Sequence, residues 1–143
     1  MAFTMRPCLH AIASLAIALC ASSAGAATWR PVPGTEALDI DIASLQLDGA
    51  KAQAWLRWWG KPPAGLVAAG FGAPPPAAHR TAAQLELDCG RHALRLLAST
   101  SFDARGRALA MTSTPAPPML VPEGDLAWAY DAVCEAMRAS GRS

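Results

Sequence analysis

The chain has 143 residues, 12 of them basic and 11 acidic, for a formal net charge of +1. That is the length of one domain, and so even a balance, with no basic stripe and no polybasic run, excludes nucleic acid and anionic membrane surfaces as expected partners. Much of the 52% hydrophobic fraction is alanine, so the core has fewer large side chains than that figure suggests.

The first element in chain order reads as a signal peptide. Arg6 is the only early charge, an apolar run from Ala11 to Ala21 is broken only by Ser14, and "SSAGAAT" follows. A basic start, an apolar centre and a small-residue cleavage site make that signature. The run is shorter than the roughly 20 apolar residues a spanning helix needs. Ala24 and Ala26 place the cut before Ala27, so residues 1–26 are expected to be removed and 27–143 to form a single domain. Cys20 closes "IALC"; lipidation there is the rival reading, and Leu19 is large for the position before a lipidated cysteine. After cleavage no transmembrane segment remains.

Cleavage also removes Cys8 and Cys20, which leaves Cys89 and Cys134. An even pair in an exported chain reads as one disulfide. The alternatives are a reactive thiol, which needs a base and an electropositive setting, and two buried free thiols.

"TWRPVPG" is short and proline-punctuated, so it enters a sheet only at an edge or as a strand start. "ALDIDI" alternates, with Leu38, Ile40 and Ile42 on one side and Asp39 and Asp41 on a solvated other side. Asp48-Gly49 is a tight-turn signal, predicting a hairpin with arms near 37–47 and 50–59. Its second arm puts Ala52, Ala54, Leu56 and Trp58 on one face and Trp55, Arg57 and Trp59 on the other. The Pro- and Gly-rich stretch at 60–78 supports neither a ladder nor a helix. A loop of that length is functional or disordered, and with few anchoring groups beyond Phe71 it is read as disordered. "HRTAAQLELDC" resumes alternation with Ala83, Leu85 and Leu87 inward, and puts Cys89 on the inward face. "RHALRLLASTSF" is a further strand, "DARG" a turn, and "RALAMTS" the returning strand, after which "TPAPPMLVP" breaks the pattern.

The last element changes period. Leu126, Tyr130, Val133 and Met137 recur at helical spacing, with Cys134 beside the stripe. Pro and acidic residues open the segment and Arg138 and Gly141 close it, as helix polarity favours. The expected fold class is α+β: an antiparallel meander sheet with a C-terminal helix packed on one face. One disulfide holds the helix to the end of the strand carrying Cys89, with Cα atoms roughly 5–6 Å apart.

"TWRPV", "LDIDIASLQLDGAKAQAW", "HRTAAQLELDCG" and "AYDAVCEA" together resemble the surface-adhesin protein E-like family of exported bacterial proteins, over most of residues 28–138. The most specific shared item is Asp88-Cys89 paired with Cys134. The chain departs from the family pattern in its Pro-rich loop and in alanine and leucine at later aromatic positions. The resemblance implies a sheet with a disulfide-stapled terminal helix and an adhesin-like role toward host proteins; fold by itself does not carry function.

Three function classes follow. The leading one is a non-enzymatic, protein-binding or adhesin-like envelope module, periplasmic or extracellular, with outer-membrane association left open, whose expected partners are host or envelope proteins. Its residues are Trp55, Arg57 and Trp59, because Trp and Arg dominate binding hot spots; the rival reading covers the three with the helix or the long loop. An enzyme is not expected: there is no G-x-S-x-G elbow, no H-E-x-x-H and no P-loop, and His79 and His92 read as surface residues. A periplasmic haem or small-ligand carrier is the alternative. C-x-x-C-H is absent, and His79, His92, Met111 and Met119 would be the available axial ligands. No cofactor and no metal site is predicted.

Overall fold

The computed structural model describes residues 26–141 apart from Ala68. The predicted signal peptide, with Cys8 and Cys20, lies outside the described residues but for Ala26.

Six strands follow one another as an antiparallel meander: β1 (Trp29–Pro31), β2 (Leu38–Asp48), β3 (Lys51–Trp59), β4 (Arg80–Asp88), β5 (Ala93–Phe102) and β6 (Ala108–Thr112). A two-residue strand, β7 (Met119–Leu120), also pairs with β5, at Ala93 and Leu94. The helix α1 (Asp125–Ser140) closes the chain. Gly49, at φ 59°, supplies the left-handed turn that Asp48-Gly49 predicts between β2 and β3. The proline-flanked β1 sits at the sheet edge, as its composition requires.

One face of the sheet is the core. Leu38, Ile40, Ala52, Ala54, Leu56, Trp58, Ala83, Leu85, Leu87, Leu94 and Leu96 are buried there, each on the alternation its strand sets. The helix turns Leu126, Ala129, Tyr130, Val133 and Cys134 onto this face and packs across β2, β3 and β4. Its C-terminal half is fastened to the end of β4. Cys89 and Cys134 form the disulfide, with Cα atoms 5.7 Å apart, and the Tyr130 hydroxyl donates to the Asp88 carbonyl at 3.2 Å. Burial, then the charges of Asp131 and Asp88, push the Tyr130 phenol above its ordinary value, so it stays a donor.

Two expectations are corrected. The loop at 60–78 is ordered by its own apolar residues. Leu66, Ala69 and Phe71 are buried, and Phe71 meets Trp58 edge to face with ring centroids 5.4 Å apart. Turns close on Pro63 and Gly65 as Leu66 and Ala69 donate to their carbonyls. A 16-residue helix is about 24 Å long and leaves part of a six-stranded face open; the loop roofs that remainder. A Cβ on Gly65, at φ 85°, would run into the Pro122 ring, so the loop and the chain before α1 are packed backbone-close.

The second correction concerns "ALDIDI". Asp41 is buried and Ile42 is 42% exposed, because β2 carries an irregularity between Asp41 and Gln46. Asp41 Oδ1 accepts from Thr28 N at 2.8 Å and from Ala43 N at 3.1 Å. Those two bonds satisfy Oδ1, and past the irregularity the outward positions of β2 change from Asp39 and Asp41 to Gln46.

Candidate partner-binding face

The helix and the long loop both lie on the inner face, so the outer face of the sheet has no covering element among the described residues. Trp55, Arg57 and Trp59 are on it together. Their partners in the ladder are Asp41, Asp39 and Arg80 respectively. The irregularity in β2 helps set Trp55: the Ser44 hydroxyl, itself donating to the Asp41 carbonyl, accepts the Trp55 backbone N–H at 3.2 Å.

Arg57 is the centre of the group. Its guanidinium lies 4.5 Å from the Trp29 ring centroid and 4.9 Å from that of Trp59. Its Nε and one terminal nitrogen reach Asp39 Oδ2 at 3.0 and 2.9 Å. One strand further on, Arg80 lies 4.5 Å over the Phe102 ring. The result is a row of alternating rings and cations, Trp29, Arg57, Trp59, Arg80 and Phe102, running from β1 to β5. Five strands at about 4.8 Å spacing make that row about 19 Å long. Each ring–cation contact of this kind adds about 0.5–2 kcal/mol of attraction, more where water is excluded. In this row Trp59 is 39% exposed and Arg57 half-buried, with Trp55 half-buried on the same face.

The other half of the outer face is an ordinary charge ladder. Glu86 Oε1 binds Arg95 Nε at 2.9 Å and Lys51 Nζ at 3.5 Å, and Gln84 donates to Gln53. Burial alone would push the Glu86 carboxyl up. The hydrogen bond and charge of Arg95, then those of Lys51, more than offset it, and the carboxyl is held below its ordinary value.

Trp29, Arg80 and Phe102 belong to the row, Asp39 holds its central Arg57, and Trp55 lies beside it on the same face, although sequence reasoning singled out only the three β3 residues. Period-2 alternation marks Asp39 and Arg80 as outward. It carries no information on which strands are neighbours, and that is what brings Trp29 to Arg57. The proposed haem ligands are not one set. His79 donates its backbone N–H to Phe102 at the end of β5, whereas His92 precedes the start of that strand; ten residues of strand separate them, on the order of 30 Å. His92 instead stands edge to face on Tyr130, centroids 4.7 Å apart. Among the described residues no cluster of three or more His, Cys, Asp or Glu side chains is arranged to hold a metal ion, and no helix is long and apolar enough to cross a membrane.

No family model matches the sequence, and no curated protein matches it. Among solved structures the chain is similar to Haemophilus influenzae protein E in its crystal form II. The sequences are 15% identical, the match covers 76% of this chain and 87% of that one, and the TM-score is 0.56. At that identity the similarity is one of fold: a distant structural relationship, with the family resemblance read from the sequence upheld at that level.

Proposed function

We propose that this chain is an exported, non-enzymatic envelope module that binds another protein through the outer face of its sheet. The observation that carries the reading is the uncovered row around Arg57: the Trp29 and Trp59 indoles, the guanidinium fixed between them, Trp55 on the same face of β3, and both covering elements on the opposite face. Aromatic side chains have few rotatable bonds and lose little freedom on binding, and an arginine already held by Asp39 and two rings has little left to lose; both residue types recur as interface anchors. Export is supported by the Cys89–Cys134 disulfide, since such bonds persist in oxidising compartments, and by the fold shared with protein E. Host proteins and proteins of the cell's own envelope are the proposed partners.

The test is comparative capture. Immobilised 27–143 is offered to envelope extract and to host plasma proteins, alongside Trp55→Ala and Trp59→Ala, with Met111→Ala, on the β6 edge, as control. Both Trp variants are checked by circular dichroism for a retained fold. A specific partner is kept by wild type and the Met111 variant and lost by the folded Trp variants. Identical capture by all four proteins, or a reduced and cytosolic native protein, refutes the proposal.

A further inference from the structure

The two margins of the sheet differ in chemistry. At one, β1 is three residues long and carries Pro31, with Pro33 just beyond. At the other, β7 has two residues and lies between Pro118 and Pro122, whereas β6, on the same side of β5, carries neither proline nor charge. An open strand edge is a row of N–H and C=O groups ready to pair with another chain, and folds keep such an edge unpaired with proline, charge or a very short strand. β6 has five residues, all exposed, and it ends the strand order. Among the described residues no backbone hydrogen bond joins 108–114 to anything but β5. Its apolar side chains are equally uncovered: Leu109 is 39% and Met111 76% exposed. The one irregularity leaves Leu109 as an extra residue at the start of the strand, and the ladder from Ala110 to Thr112 is regular.

The sequence around this edge is symmetrical in a way that selects its partner. The stretch from Ala108 to Thr114 has no charged residue and no proline, and it is bounded by Arg107 and Pro115, each four residues from Met111. Laid antiparallel on a second copy about Met111, the strand puts Met111 against Met111, Ala110 against Thr112 and Leu109 against Ser113. Arg107 of each copy then lies across from Pro115 of the other, so pairing ends at the same step on both sides and no like charges meet. Parallel pairing would set Arg107 beside Arg107, and like charges directly opposite are destabilising. Arg107 is also held in its own turn by Asp103 Oδ2 at 2.9 Å, which keeps it off the edge.

We infer that β6 is the seam of a homodimer, two copies joined antiparallel through 108–114 with the two-fold axis at Met111. Directly opposed residues of an antiparallel pair share a face. The axis therefore stands perpendicular to the sheet, and both outer faces lie on one side of a continuous sheet. Strand spacings of about 4.8 Å put the β3 strands of the two copies about 34 Å apart. A strand pair of this length buries less than the roughly 1,200 Å² of a standard interface, so the dissociation constant is on the order of 10 µM. The seam uses no residue of the aromatic row, so the dimer and the binding proposed for that row stand or fall separately.

Sedimentation equilibrium of oxidised 27–143 from about 1 to about 500 µM reads the association. The expected result is a rise from monomer to dimer mass across that range. Met111→Lys and Met111→Glu each place two like charges on the axis and weaken dimerisation by at least about tenfold, while circular dichroism shows the fold retained. An equimolar mixture of the two variants recovers the dimer, because lysine then faces glutamate, and only the register about Met111 gives that recovery. A chain still monomeric at about 500 µM overturns the inference and leaves the edge to a strand of another protein. So does a dimer that either variant leaves intact, or a mixture that stays monomeric.

Discussion

Reduction of the Cys89–Cys134 bond is expected to destabilise the fold by a large fraction of its total. The crosslink spans 45 positions. In the chain-entropy relation, opening a loop of that length frees about 13 cal/mol/K in the unfolded chain, or about 4 kcal/mol at 25 °C. A domain of this size has a net stability of about 5–15 kcal/mol, and each kcal/mol moves its melting temperature by about 4 °C. The bond also holds the C-terminal half of α1 where Tyr130 reaches the Asp88 carbonyl, so nothing in the folded state offsets its loss. The assay is thermal unfolding by circular dichroism of 27–143, oxidised and with a thiol reductant, beside the Cys89→Ala/Cys134→Ala double variant. The expected shift is about 15 °C downward in both comparisons, with the double variant insensitive to reductant. A shift of only about 2 °C would refute the reasoning, because the helix would then be held by its apolar stripe alone. Two freely alkylated thiols in the native protein would refute it more directly.

Three further outcomes are expected. Phe71→Ala costs about 3 kcal/mol in urea unfolding, the loss of a buried aromatic, while Val67→Ala, 62% exposed in the same loop, changes stability by about 0.5 kcal/mol or less; equal effects would mean the loop does not roof the core. Arg57→Ala costs about 1–2 kcal/mol through Asp39 and the two rings. Arg57→Lys recovers little of that, since an ammonium cannot stack as a plane; wild-type stability in the Lys variant argues against the stacked arrangement. Glu86 has its folded carboxyl held below the ordinary value of 4.5, so its ion pairs contribute above about that pH and the contribution is lost as pH falls through the folded value. The stability gap between wild type and Glu86→Gln therefore narrows on acidification below 4.5, and a gap that widens there contradicts the assignment.

The aromatic row shows how far local pattern reaches. Alternation in "KAQAWLRWW" was enough to separate Trp58 from its two neighbouring indoles, because side chains of a strand point to opposite faces every second residue. It put Asp41 on the correct face, opposite Trp55, but could not foresee that two backbone donors bury that carboxylate or that the irregularity after it leaves Ile42 exposed. For the Pro/Gly-rich loop, composition argued correctly against a ladder or a helix and wrongly for disorder. Leu66, Ala69 and Phe71 are anchored by the uncovered part of the inner face, a vacancy that exists only once the helix has been laid across β2, β3 and β4.

What the sequence determined by itself is what local rules control: the hairpin at Asp48-Gly49, the inward face of each central strand, the terminal helix and its stripe, and the pairing of the two cysteines. What only the tertiary structure decided is everything that depends on which strands are neighbours and which face is roofed. Trp29 reaches Arg57 across an intervening strand, Arg80 meets Phe102, and Phe71 meets Trp58. The physical reason is range: turn chemistry and side-chain periodicity act over a few residues, whereas a surface or a roofed core is made by packing between segments tens of residues apart.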